Sequence, residues 1–111
     1  MQKGGESGEG EAVTIIRPGY RIDCVRPCGE EGKKVAEARV MLRAKTGEML
    51  GSLEREFQKV ERFPKLNLVR FEFEGMSILL YDNGDLRIRK IRDVAEAVRA
   101  AERIVSVLRG G

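Results

Sequence analysis

Residues 66–109, LNLVRFEFEGMSILLYDNGDLRIRKIRDVAEAVRAAERIVSVLR, decide the fold class. Three runs with strand character follow one another: Leu68–Glu74, Ser77–Tyr81 and Leu86–Ile91. Val69, Phe71 and Phe73 alternate with Arg70, Glu72 and Glu74, the two-residue period of a half-buried strand. Gly75 predicts a tight hairpin. Asp82-Asn83-Gly84-Asp85 supplies the residue types that tolerate positive φ in a second turn. Leu86 and Ile88 alternate with Arg87 and Arg89. From Asp93 to Arg109 the period becomes helical: Val94, Ala97, Val98, Ala101, Ile104, Val105 and Leu108 make one apolar stripe. Asp93 with Glu96 forms an acidic variant of the capping box, and Gly110 ends the helix. The block predicts an antiparallel sheet with a helix laid across one face.

Working upstream, Leu50, Leu53, Phe57 and Val60 recur at three- and four-residue spacing, which predicts a second helix over about 47–61, stopped by Pro64. Residues 33–46 have helical propensity, yet Ala38, Val40, Leu42 and Ala44 alternate with Arg39, Met41, Arg43 and Lys45. The alternation favours a strand. Ala12–Arg17 and Tyr20–Val25 flank the Pro18-Gly19 turn signal as further extended segments. Residues 1–11, MQKGGESGEGE, have nothing to bury and predict a mobile tail, leaving 12–111 as one domain.

The expected fold is therefore α+β: a curved antiparallel sheet of 4–6 strands with two helices packed on one face. Val40, Leu42, Val69, Phe71, Phe73, Ile78, Leu80, Leu86 and Ile88 are expected to face the helices. The other face would carry Arg39, Met41, Arg43, Arg70, Glu72, Leu79, Tyr81, Arg87 and Arg89.

Composition narrows the chemistry. The absence of His removes imidazole as a general base, a triad member or a metal ligand. Abundant Arg and Glu with few amides (Gln2, Gln58, Asn67 and Asn83 are all there are) is the balance of a protein from a hot environment. The formal net charge of +3 permits contact with nucleic acid without arguing for it. No apolar run is long enough to span a membrane and no leader is legible in the first twelve residues, so a cytoplasmic location is expected.

The order of elements from Pro64 to Leu108, above all FEFEGMSILLYDNGDLRIRKIRDVAEAVRAAERIVSVL, resembles one repeat of the TATA-binding-protein fold. There a helix is followed by hairpin-linked strands, and a long C-terminal helix crosses the sheet. The segments IIRP at 15–18 and YDNGDLRIRKI at 81–91 are also similar to small archaeal proteins with this repeat, some of them joined to iron–sulfur modules. The TATA-binding family contacts DNA through the concave face of a two-repeat saddle and kinks it with inserted Phe side chains. This chain has one such repeat, and its Phe71 and Phe73 are expected in the core, so no DNA-contacting residue carries over.

Two sets of residues stand out as candidate sites. Cys24 and Cys28, in CVRPC, supply half of the ligands of a metal or iron–sulfur site, form a local disulfide, or remain two thiols in a loop. Arg39, Arg43, Arg70, Arg87 and Arg89 form either a phosphate-binding stripe or a solvated face of Arg–Glu pairs. Met41, Leu79 and Tyr81 among them are types favoured at protein interfaces. No residue set poises an acid, base or nucleophile. The expected function is a non-catalytic binding or assembly module, pairing with a second copy or another protein. Nucleic-acid binding through the arginine face, and a metal role through the cysteines, are the alternatives.

Overall fold

The computed structural model describes residues 11–27, 32–43 and 45–110. Seven strands and two helices follow in the order β1 (Glu11–Arg17), β2 (Tyr20–Pro27), β3 (Lys34–Val40), α1 (Leu50–Glu56), β4 (Gln58–Phe63), β5 (Leu68–Phe73), β6 (Met76–Tyr81), β7 (Asp85–Ile91) and α2 (Val94–Gly110). Of the tail expected over 1–11, only Glu11 belongs to the described residues, and it opens β1. The strands form one sheet in the order β1-β2-β3-β7-β6-β5-β4, antiparallel throughout. The fold is α+β as expected, with a sheet of seven strands rather than 4–6.

The additional strand is β4, in the stretch expected to continue the first helix. That helix stops at Glu56, where Phe57 turns to extended backbone (φ −127°, ψ 168°) with its N–H donating to the Leu53 carbonyl. The Phe57 ring then lies 4.6 Å from that of Phe71 and 5.8 Å from that of Phe73. Burial of that ring, and backbone pairing along the free side of β5, outweigh the helical spacing of Leu50, Leu53, Phe57 and Val60.

The register explains why one face is apolar. Residues directly opposite on antiparallel strands share a face. Ile22, Ala38, Leu86, Leu80 and Val69 stand in one such row across five strands; Val25, Ala36, Ile88, Ile78 and Phe71 stand in the next. All ten are buried. Two irregularities preserve this parity. Asp23 is the extra residue between Ile22 and Cys24, so Ile22 and Val25 can both face inward. Lys90, at φ +65°, is the extra residue between Arg89 and Ile91. Strict alternation would place Lys90 in the core; the bulge buries Ile91 instead.

Both helices join this face. Leu53 of α1 and Ala97, Ala100, Ala101, Ile104, Val105 and Val107 of α2 belong to the same buried cluster as the two rows. Each large apolar side chain so buried contributes about 1.5–3 kcal/mol. Val69, Phe71, Ile78, Leu80, Leu86 and Ile88 occupy the core as expected, while Leu42 and Phe73 are partly buried at its margin. The α2 cap forms through Asp93 Oδ1, which accepts from the Glu96 N–H at 3.0 Å, and Glu96 Oε1, which accepts from the Arg92 N–H at 2.8 Å.

Turn chemistry closes the strands at the positions the sequence marks. Glu74 (φ +50°) and Gly75 (φ +83°) form a two-residue hairpin between Phe73 and Met76. Gly84, at φ +97°, lies against β3: its carbonyl accepts from the Val40 N–H at 2.8 Å, and a Cβ there would stand 2.6 Å from the Val40 oxygen. Only glycine fits that approach. Asp82 ties the same turn to the chain before α1 by accepting from the buried Thr46 hydroxyl.

Tyr20 couples β2 to α2. Its ring is buried and its hydroxyl donates to Glu102 Oε2 at 2.8 Å. Burial, then the hydrogen bond and negative charge of Glu102, push the phenol up to about 12. A folded value above the unfolded one near 10 means that the stabilisation is complete below pH 10 and is lost as pH rises towards 12. Tyr20→Phe is expected to lower unfolding free energy by about 1 kcal/mol at neutral pH. The same substitution should flatten the decline between those pH values, as measured by urea unfolding across the alkaline range.

Candidate interaction surface

The strand positions that alternate with the core point to the sheet face without helices. One row on this open face runs Cys24, Glu37, Arg87, Leu79, Arg70 and Glu61 from β2 to β4. The next runs Arg26, Val35, Arg89, Ser77, Glu72 and Gln58. Arg39, paired with Arg21 and Asp85, and Tyr81, paired with Leu68, complete the face towards its other end. The sheet therefore brings together Arg39, Arg70, Leu79, Tyr81, Arg87 and Arg89. Met41 and Arg43 lie past the end of β3, in the loop towards α1, where strand alternation no longer governs them.

Much of the charge on the face is internally matched. Arg39 Nη2 stands 2.8 Å from Asp85 Oδ1, Arg70 Nη2 3.0 Å from Glu61 Oε1, and Arg21 Nε 2.7 Å from Asp23 Oδ1. Arg26 pairs with Glu37, and Lys59 Nζ lies 3.7 Å from Glu72 Oε1. Exposed pairs of this kind contribute about 0–1 kcal/mol each. Arg87 and Arg89 differ: both are exposed, and neither makes an ion pair among the described residues. Glu37, directly opposite Arg87, is engaged by Arg26 instead. Of the five arginines expected to form either a phosphate-binding stripe or a solvated face, four lie on the sheet; Arg87 and Arg89 on β7 are the two of these four without an ion pair among the described residues, with Leu79 between Arg87 and Arg70 along the row.

Sequence reasoning missed an apolar corner on this face. Leu68 is buried yet lies opposite Tyr81 and Phe63, outside the core cluster. The Arg70 guanidinium carbon lies 5.6 Å from the Phe63 ring centroid, in cation–π range. Phe63 was hidden because its strand reads as the end of a helix. The pair Leu68-Val69, two apolar residues in succession where strict alternation allows one, was the available signal.

A second exposed feature lies where β1, β2 and β3 meet. Ile16 is 68% exposed and Met41 78% exposed. They line one groove together with Arg17, Arg21 and Arg39. Arg39 also donates to the Asn83 carbonyl at 3.1 Å, fixing one wall of that groove.

Cys24 is partly buried on the open face, and its thiol donates to Glu37 Oε1 at 3.6 Å. Cys28 lies outside the described residues. Among the described residues no group of three or more acidic, Cys or His side chains is arranged to hold a metal ion, and no helix is long and apolar enough to cross a membrane. Comparison with known proteins finds no matching family model, no matching curated protein and no matching solved structure.

Proposed function

We propose that this chain is a non-catalytic binding and assembly module, a single TATA-binding-protein-like repeat that self-associates and receives a partner on its open sheet face. The observation that carries the proposal is the composition of that face: Leu79, Tyr81 and the Leu68–Phe63 corner share it with two arginines free of carboxylate partners among the described residues. Aromatic, aliphatic and Arg side chains in one patch are the composition of a protein interface. The likeness to the TATA-binding fold is supported by element order, since α1 precedes a run of antiparallel strands and the long α2 follows them. The lack of any histidine supports a role without acid–base chemistry. Ion pairs spread over sheet and helices suit a protein working in a hot cytoplasm.

Static light scattering on the size-exclusion eluate tests self-association. Two copies of the 12.5 kDa chain are expected at micromolar loading, with dissociation on dilution. A mass that stays at one chain up to the solubility limit removes the self-association part of the proposal.

A nucleic-acid partner is the second reading, favoured by Arg87 and Arg89, which make no ion pair among the described residues. It predicts binding of single-stranded or duplex oligonucleotides at low salt that weakens steeply as salt rises. Replacement of both residues, Arg87→Glu with Arg89→Glu, should abolish it. Fluorescence anisotropy at two salt concentrations decides: no binding at the lower salt discards this partner.

A further inference from the structure

The Pro18-Gly19 turn meets the loop after β3 at one end of the sheet, and backbone contacts hold the two together. The Gly19 carbonyl accepts from the Met41 N–H at 2.9 Å, and the Asn83 carbonyl accepts from Arg39 at 3.1 Å. The last turn of α2 reaches the same place. A Cβ on Gly19 would stand 2.9 Å from Arg109 Nη2 and 3.0 Å from the Val105 side chain. Glycine at φ +93° leaves that space to the guanidinium.

Two recesses open at this end, and Met41 and Leu42 wall both. The larger, of about 490 Å³, has the exposed Ile16 and Met41 in its lining. The smaller, of about 120 Å³, is lined by Met49, Val105 and Leu108. Apolar side chains left uncovered in a concave setting favour an occupant that buries them. Methionine in both linings lets the walls adapt to an inserted side chain.

The charge around the recesses has one sign. Arg17, Arg21 and Arg39 line the larger and Arg43 and Arg109 the smaller, with no carboxylate among the described lining residues. Arg21 and Arg39 are paired with Asp23 and Asp85, whereas Arg17, Arg43 and Arg109 make no ion pair among the described residues. These last three come from the end of β1, the loop after β3 and the last turn of α2, so they surround the apolar lining from different elements.

That arrangement selects the occupant. A single phosphate or carboxylate calls for guanidinium groups converging on one point. A nucleic-acid strand calls for aromatic faces on which bases stack, and Tyr20, the aromatic residue in the described lining, is buried with its hydroxyl held by Glu102. A bilayer calls for apolar side chains that project from the surface, not ones set in a recess. A peptide with carboxylates on either side of an apolar side chain matches both the spread of the charge and the concave apolar lining.

We infer that this end of the molecule binds a segment of a partner protein in which carboxylates flank an apolar side chain. The apolar group enters a recess beside Met41, and the carboxylates meet Arg17, Arg43 and Arg109. None of Leu79, Arg87 and Arg89 lines this surface, and the inference holds whether or not the chain self-associates.

Peptide display tests it. Random peptides on phage, selected on the immobilised chain, are expected to enrich for Asp or Glu flanking Leu, Ile, Met or Phe. By fluorescence anisotropy the enriched peptides should bind the triple variant Arg17→Glu, Arg43→Glu, Arg109→Glu at least about tenfold more weakly than the wild type. Met41→Asp should weaken them as well. Arg87→Glu with Arg89→Glu, which also adds negative charge, should leave their affinity unchanged. The substituted residues are all exposed, and thermal melting followed by circular dichroism verifies that each variant is folded. If the triple variant melts early, Arg43→Glu alone, in the loop after β3, carries the comparison. No enrichment, enriched peptides without carboxylates, or equal affinity for wild type and folded groove variants overturns the inference. Affinity lost instead with the Arg87 and Arg89 substitutions places the acidic partner on the open face, which overturns the groove and leaves the reading above standing. A wild-type dimer that the triple variant breaks gives the groove to a second copy and overturns the acidic partner. Vesicles of phosphatidylserine or an oligonucleotide bound in place of any peptide, and lost in the triple variant, overturn it equally.

Discussion

The whole molecule depends on a parity constraint: every strand must send the same alternate residues beneath the helices. A slip of one residue would exchange the apolar and charged faces of a strand. The rows from Ile22 to Val69 and from Val25 to Phe71 satisfy the constraint across five strands. Where the sequence breaks strict alternation, the backbone absorbs the extra residue: Asp23 and Lys90 are set aside so that Val25 and Ile91 can be buried. The positive φ of Lys90 costs backbone energy, and the fully buried Ile91 side chain offsets it.

The proposed binding surface is what this constraint leaves uncovered. With α1 and α2 both committed to one side, the other side keeps its arginines, Leu79, Tyr81 and the Phe63–Leu68 corner. The protein neutralises most of that charge itself, through Arg39 with Asp85, Arg70 with Glu61 and Arg26 with Glu37. Arg87 and Arg89 keep positive charge without an ion pair among the described residues, on a strand near the middle of the sheet rather than at its rim. A partner lying across the face would meet them centrally, where desolvation strengthens each contact.

The sequence makes the C-terminal half legible because each local signal there agrees with the others. Alternation in Val69–Phe73, turn residues at Gly75 and Gly84, and a capped 3.6-period stripe after Asp93 all point one way, and the strands, turns and helix form within a residue or two of the expected positions. The segment 33–46 resolves as a strand only to Val40, because the Gly84 carbonyl and the loop after Met41 end its pairing. The segment 57–63 misleads for a tertiary reason. Leu53 and Phe57 are both buried, as a helix would require, but Phe57 reaches the core from extended backbone, and Val60 lies on a strand that exists because β5 offers a free side. The same error conceals Phe63 and with it the apolar corner. Which arginines of the open face lack partners among the described residues was beyond sequence reasoning, since Glu61 and Asp85 are assigned to Arg70 and Arg39 by register alone.

The most direct test of this one-sided sheet compares two neighbours on β5. Unfolding in urea should show Phe71→Ala losing about 3–5 kcal/mol, because its ring is fully buried among Phe57, Ile78 and the helices. Arg70→Ala should change stability by no more than about 1 kcal/mol, since it gives up only an exposed ion pair and a ring contact. The opposite order, with Arg70 costly and Phe71 dispensable, would place the arginine face under the helices and contradict the architecture on which the proposed binding surface stands.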